Sequence, residues 1–163
     1  MSDPAAPAEP DVAPGRAARS TPITPSLVVM GLVVVVDQLT KHWAVNRLSG
    51  GRNIDLAGTL RFHLTFNSGM AFSQAQGLGP IVGVIALVVV VVLLVGLRRA
   101  GSPMSNLAVG LVMGGAVGNV VDRLLHGHVV DFVQVHWGGW YFPSFNVADA
   151  AITVGAACLI LDE

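Results

Sequence analysis

Two carboxylates set the chemistry this chain can do. Asp149 lies in Ser144-Phe145-Asn146-Val147-Ala148-Asp149-Ala150-Ala151-Ile152-Thr153, which opens the last apolar run of the sequence. Ser144 follows Pro143 and stands where a helix N-cap belongs. Asn146 and Asp149 are three residues apart, so a helix puts an amide and a carboxylate on one face. Asp131 lies upstream in Val129-Val130-Asp131-Phe132. A carboxylate at the edge of a membrane-type helix is costly unless it has a partner or a task. The expectation is that Asp131 and Asp149 meet. Two close carboxylates share a proton near neutrality, because like charges push one pKa up. One then activates water as base while the other, protonated, polarises a peptide carbonyl.

The surrounding composition is that of a membrane protein. Of 163 residues, 53% are hydrophobic and 12% charged, about half the charge of a soluble domain. Mean hydropathy is +0.67. The length fits one domain. Net charge is −1 and no basic cluster points to nucleic acid. Cys158 is the only cysteine, which excludes an intrachain disulfide, and it sits in an apolar run rather than beside an activating base.

Four apolar runs position the polar residues. Residues 1–23, rich in Ala and Pro and without an apolar run, read as a disordered tail; the apolar stretch that follows is too long, carries charge and lacks an evident cleavage site for a signal peptide. Residues 25–46 form a first span, ~33 Å long at the helical rise. Within it Asp37 and Lys41, the only lysine, have the spacing of an intrahelical ion pair in the favourable acid-first order. That pair either pins helix to helix or supports a site. Residues 47–78 read as a polar loop in which Leu60, Phe62, Leu64 and Phe66 alternate with Arg61, His63 and Thr65, a strand with one apolar face. Asn67-Ser68-Gly69 ends it; on pattern alone Asn67 makes the turn, the alternative being an amide aimed at a ligand. Residues 79–97 form a second span without a polar side chain.

Residues 104–121 form a third span. Gly110, Gly114 and Gly118 recur every four residues, the spacing that lets another backbone approach closely. Asn119, Asp122 and Arg123 follow where this helix leaves the membrane, and Asp122 reads as a polar cap. Residues 124–143 read as a loop whose Trp137, Trp140, Tyr141 and Phe142 suit a membrane interface. Its His126, His128 and Asp131 are candidate zinc ligands, but no His-Glu-x-x-His accompanies them and the reading adopted has no metal. Residues 144–161 form the fourth span.

Arg16 and Arg19 before the first span, and Arg98-Arg99 between the second and third, put both segments inside under the positive-inside rule, although Arg47, Arg52 and Arg61 weaken the contrast. Both termini are then cytoplasmic. Asn67, Asn119, Asp122, Arg123, Asp131, Asn146 and Asp149 gather at the outer face. A proton-coupled transporter would need polar residues across the whole membrane, which the second span lacks. A passive scaffold would leave both aspartates idle.

The residues resemble the bacterial lipoprotein signal peptidases, or signal peptidase II. Five blocks carry the resemblance in order: Asp37-Gln38-Leu39-Thr40-Lys41; Phe66-Asn67-Ser68-Gly69-Met70-Ala71-Phe72; Gly114 to Arg123; Val129-Val130-Asp131-Phe132; and Phe145-Asn146-Val147-Ala148-Asp149. The resemblance implies an all-α polytopic membrane protein, four transmembrane helices with a small extracytoplasmic β-sheet cradle, forming one peptidase domain over 24–163. It implies an aspartic endopeptidase of the inner membrane that cuts prolipoproteins just before a diacylglyceryl-modified cysteine. The catalytic pair falls on Asp131 and Asp149. Asn67, Asn119, Arg123 and Asn146 fall on site positions, and Asp37 and Lys41 on a supporting motif. It implies no cofactor, a monomer, and lipidated precursors and membrane lipids as partners.

Overall fold

The computed structural model describes residues 23–68 and 102–162. The expected second span, 79–97, and the tail 1–22 lie outside the described residues. Within them the chain forms α1 (Thr24–Leu48), β1 (Asn53–Ala57), β2 (Leu60–Asn67), α2 (Pro103–His126), β3 (Val129–Trp137), β4 (Trp140–Tyr141) and α3 (Val147–Leu161). α1 and α2 are long and apolar enough to cross a bilayer.

Local chemistry fixes the helix ends. Ser102 caps α2 by accepting from Ser105 N at 3.0 Å, and Pro103 follows in the first turn. Gly127, at φ 76°, closes the other end in the left-handed conformation that glycine adopts without strain. α2 therefore runs past the expected limit of 121, because no residue between Val121 and His126 breaks a helix. Asp122 and Arg123 are inside its last two turns, with Asn119, rather than beyond its end. α3 begins later than expected. Its N-cap is Asn146, not Ser144: Phe145 pairs with Val133 of β3, so Ser144 and Phe145 are held extended.

The helices pack through small residues. A Cβ on Gly110 would fall 2.7 Å from Val29 Cβ, and one on Gly114 would fall 2.6 Å from Val33 Cβ. The glycine stripe of α2 thus lies against α1, as its spacing predicts. Gly115 meets the backbone of Ala148, and a Cβ on Gly155 would fall 2.6 Å from the Ala108 carbonyl. These contacts run α2 parallel to α1 and antiparallel to α3. Ser102 and Asp162 hydrogen-bond at the far end, which levels the start of α2 with the end of α3.

The sheet covers the opposite end. Its order is β1-β2-β3-β4, antiparallel throughout, with Thr65 opposite Asp131 and Asn67 opposite Val129. The 60–66 strand is present as expected. The loops read over 47–78 and 124–143 instead hold β1, β3 and β4. In 129–137 the β-branched Val133 and Val135 alternate with Gln134 and His136, a strand signal outweighed by the neighbouring glycines and aromatics. Phe62, Leu64 and Phe132 close over Ala44 and Leu48 of α1. Trp43 meets Phe62 edge-on at 5.2 Å between centroids. The sheet is thereby fixed to the helix that carries Asp37 and Lys41.

Candidate active site

Four carboxylates are buried or half-buried at the sheet end of the helices, and their partners sort them into two kinds. Lys41 Nζ lies 2.8 Å from Asp37 Oδ2 and 3.0 Å from Asp122 Oδ2. All three side chains are at most 3% exposed. An unpaired charge here would cost several kcal/mol, so the lysine binds α1 to α2. Asp37 Oδ1 also accepts from Ala148 N at 2.9 Å, taking one of the free N–H groups at the start of α3. Asp122 Oδ2 accepts from Val130 N at 2.9 Å, which ties α2 to β3. Gln38 Nε2 reaches Asp122 Oδ1 at 3.0 Å and the Gly118 carbonyl at 3.3 Å. Gln38 was not singled out by sequence reasoning; its place between Asp37 and Lys41 was the available signal.

Asp131 and Asp149 are held by neutral amides instead. Asp131 is 2% exposed on β3. Asn146 Nδ2 donates to its Oδ1 at 2.8 Å, and Asn67 Nδ2 to its Oδ2 at 3.0 Å. Asp149 is the third residue of α3. Its Oδ1 accepts from Asn119 Nδ2 at 2.8 Å and its Oδ2 from Asn146 N at 3.3 Å. Asn146 Oδ1 in turn accepts from Asp149 N at 2.9 Å, completing a capping box. Asn146 is fully buried and joins the two carboxylates: its side chain holds Asp131 and its backbone holds Asp149. Burial pushes the Asp131 carboxyl up to about 6; the Asn67 hydrogen bond opposes this and the negative charge of Asp149 adds to it.

The expected convergence is therefore largely what the structure shows. Asn67, Asn119, Asp131, Asn146 and Asp149 form one hydrogen-bonded set. Asn67 ends β2 with its amide on Asp131, so its side chain is aimed at a carboxylate; the turn expected at Asn67-Ser68-Gly69 runs outside the described residues. The register of β2 against β3 is the reason: it carries Asn67 alongside Val129, two residues from Asp131. Asp122 is no helix cap but the second acceptor of Lys41. Arg123 enters through the backbone, its Nη1 donating to the Asn119 carbonyl at 3.3 Å. His126 and His128 face each other at 6.0 Å between ring centroids, and His128 rests on Phe66. No set of three His, Cys, Asp or Glu side chains gathers as metal ligands among the described residues. Beside Asp149 a groove of about 520 Å³ opens between Phe142, Pro143, Phe145, Ala150, Thr153 and Val154.

Apolar helices carrying a buried carboxylate centre at one end are the build of a membrane-embedded enzyme. The family model described as Signal peptidase (SPase) II matches residues 29–163. The chain is 48% identical over 139 residues to a lipoprotein signal peptidase of Pseudomonas syringae pv. tomato, covering 80% of each chain. It is 41% identical over 148 residues to that of Paraburkholderia phymatum, covering 86% of this chain and 88% of the relative. A solved bacterial membrane enzyme superposes with a TM-score of 0.81 at 27% identity, over 90% of this chain and 97% of the other. The chain belongs to the signal peptidase II family.

Proposed function

We propose that Asp131 and Asp149 are the water-activating dyad of a membrane aspartic endopeptidase that removes signal peptides from prolipoproteins, cutting just before the diacylglyceryl-modified cysteine. The observation that carries the assignment is the sorting of carboxylates. Asp37 and Asp122 are committed to an ammonium. Among the described residues, the hydrogen-bond donors to Asp131 and Asp149 are amides, which hold a carboxylate in place without neutralising it.

In this reading Asp149 is the base. It stands in the first turn of α3, where its carboxylate accepts from Asn119 Nδ2 and Asn146 N. Asp131, with its raised proton affinity, carries the shared proton. Asp149 takes a proton from water as the oxygen attacks the scissile carbonyl. Asp131 donates to the carbonyl oxygen as it becomes tetrahedral. On collapse the C–N bond breaks, the proton held by Asp149 passes to the leaving amine, and one hydroxyl of the diol returns its proton to Asp131. Asn67, Asn119 and Asn146 fix the two carboxylates, and Arg123 holds the α2 backbone at Asn119.

The same reading places four crossings in one domain over 24–163, with the tail 1–23 and both termini cytoplasmic and the site at the extracytoplasmic face of the inner membrane. α1 and α2 run parallel, an arrangement compatible with the expected second crossing, which lies outside the described residues. α3 has 15 residues, ~22 Å, against a hydrocarbon thickness of ~30 Å. With its far end level with the start of α2, its N-terminus and Asp149 lie within the membrane rather than above it. A lipid-anchored peptide reaches that depth sideways, and the groove beside Asp149 is lined by the apolar side chains it would need. Trp137 and Trp140, 77% and 59% exposed, suit the headgroup layer above it. The protein acts as a monomer, with membrane lipids around it.

Cleavage of a diacylglyceryl-modified prolipoprotein and of its unlipidated precursor by the purified protein tests the function. The expected result is cutting before the lipidated cysteine, undiminished by a chelator, with the unlipidated precursor refractory. Equal cutting of both precursors would sink the lipid-directed reading. The proton on Asp131 also fixes the sign of the pH dependence. Above about 6 the free enzyme loses that proton, so kcat/KM falls with rising pH, about tenfold per unit once the proton is lost. Bound substrate excludes water, so the same limb in kcat lies at higher pH. A kcat/KM that instead rises through this range would assign the proton wrongly.

A further inference from the structure

We propose that Lys41 is a positioning residue for this dyad: by occupying the carbonyl of Asn119, it turns the amide N–H of that residue onto Asp149. The inference rests on the peptidase reading above. An asparagine amide is nearly symmetric in shape, and only its partners decide which end is oxygen. One end of Asn119 meets Lys41 Nζ at 3.1 Å and Asn146 Nδ2 at 3.1 Å. Both are donors, and the ammonium has no acceptor capacity, so this end is the oxygen. The other end meets Asp149 Oδ1 at 2.8 Å and is therefore the N–H. Turned over, the amide would bring a carbonyl against the Asp149 carboxylate and an N–H against the ammonium.

Lys41 suits this task. Its three N–H groups have three acceptors: Asp37 Oδ2, Asp122 Oδ2 and Asn119 Oδ1. The two carboxylates fix the ammonium from both helices, and the third bond points at the amide. The ion trio therefore does more than join α1 to α2, since its remaining donor reaches a side chain that itself touches the dyad. The ammonium of Lys41 hydrogen-bonds Asp37, Asp122 and Asn119 rather than Asp131 or Asp149, so its effect passes through Asn119.

Removing Lys41 alone leaves two buried carboxylates unpaired, so a fair test first neutralises the trio. Asp37→Asn and Asp122→Asn are combined with either Lys41→Gln, which keeps a donor, or Lys41→Met, which has none. Each triple is compared by thermal unfolding and by kcat and KM on the lipidated precursor. The expected result is matched Tm and KM, with kcat at least about tenfold lower in the Lys41→Met triple, the worth of one misdirected hydrogen bond. In an Asn119→Ala background the difference between the two triples should vanish, because the intermediary is gone. Equal kcat in the two triples, or equal loss through unfolding, reduces Lys41 to charge compensation and overturns the proposal. So does a difference that persists without Asn119. Wild type and Asp149→Asn are run alongside. If wild type does not cleave, or Asp149→Asn keeps its activity, it is the peptidase reading that fails.

Discussion

Asp131→Asn and Asp149→Asn are each expected to lower kcat by about 10³-fold or more on the lipidated precursor, because in the proposed mechanism each is half of an acid–base pair worth 10²–10⁴. Asparagine keeps the size of the side chain and cannot exchange the proton. The fold should survive both changes. Neither carboxylate takes part in the Lys41 ion pairs, and Asn146 still caps α3 in either variant. The contrast with the other two carboxylates is what makes the prediction sharp. Asp122→Asn and Asp37→Asn each strip one of two acceptor charges from a buried ammonium that stays paired with the other, a loss of about 1.5–3 kcal/mol, the worth of one charged hydrogen bond. Those variants should therefore unfold at lower temperature, with activity lost in proportion to folded protein. Thermal unfolding and active fraction, measured on the same four preparations, separate the two pairs. If Asp122→Asn kept its fold and lost all turnover while Asp131→Asn stayed active, the dyad would be Asp122 and Asp149.

How much of this was legible in the sequence depends on what each residue answers to. The glycine stripe at 110, 114 and 118 was legible because close backbone approach needs a missing side chain and nothing else. The Asp37–Lys41 pair was legible because helical spacing alone brings its two ends together. Burial of polar residues in an apolar chain announced a site, since charge in a membrane is retained only where it is satisfied. What resisted was anything set by pairing between distant strands. Asn67 read as a turn residue because its contact with Asp131 depends on the β2–β3 register, and two residues of slippage would lose it. Asp122 read as a cap because its partner, Lys41, lies on another helix, and nothing local names it. The start of α3 was misplaced by two residues because Ser144 and Asn146 are both good N-caps; the pairing of Phe145 with Val133 decides between them. The sheet end of the molecule was thus read through its residues, and its geometry followed from their partners.

Asn146 is where fold and chemistry depend on one side chain, and two substitutions should pull them apart. Its Oδ1 caps α3, while its Nδ2 serves Asp131 Oδ1 at 2.8 Å, Asn119 Oδ1 at 3.1 Å and the Val130 carbonyl at 3.3 Å. Asn146→Ala deletes both functions. Loss of the cap costs about 1 kcal/mol, and the abandoned buried acceptors cost about as much again. At 2–4 °C per kcal/mol that lowers Tm by about 4–8 °C. Asn146→Asp keeps an equally good cap, so the start of α3 and the position of Asp149 survive. It replaces the donor, however, with a third carboxylate facing Asp131. That raises the proton affinity of Asp131 further and removes the bridge that holds the two carboxylates in register. Turnover should then fall about 100-fold, the scale of lost positioning, while Tm shifts less than in Asn146→Ala. Unfolding curves and kcat for the two variants read this directly. If Asn146→Asp turned over like wild type, the amide bridge would be dispensable, and α3 alone would hold the site together.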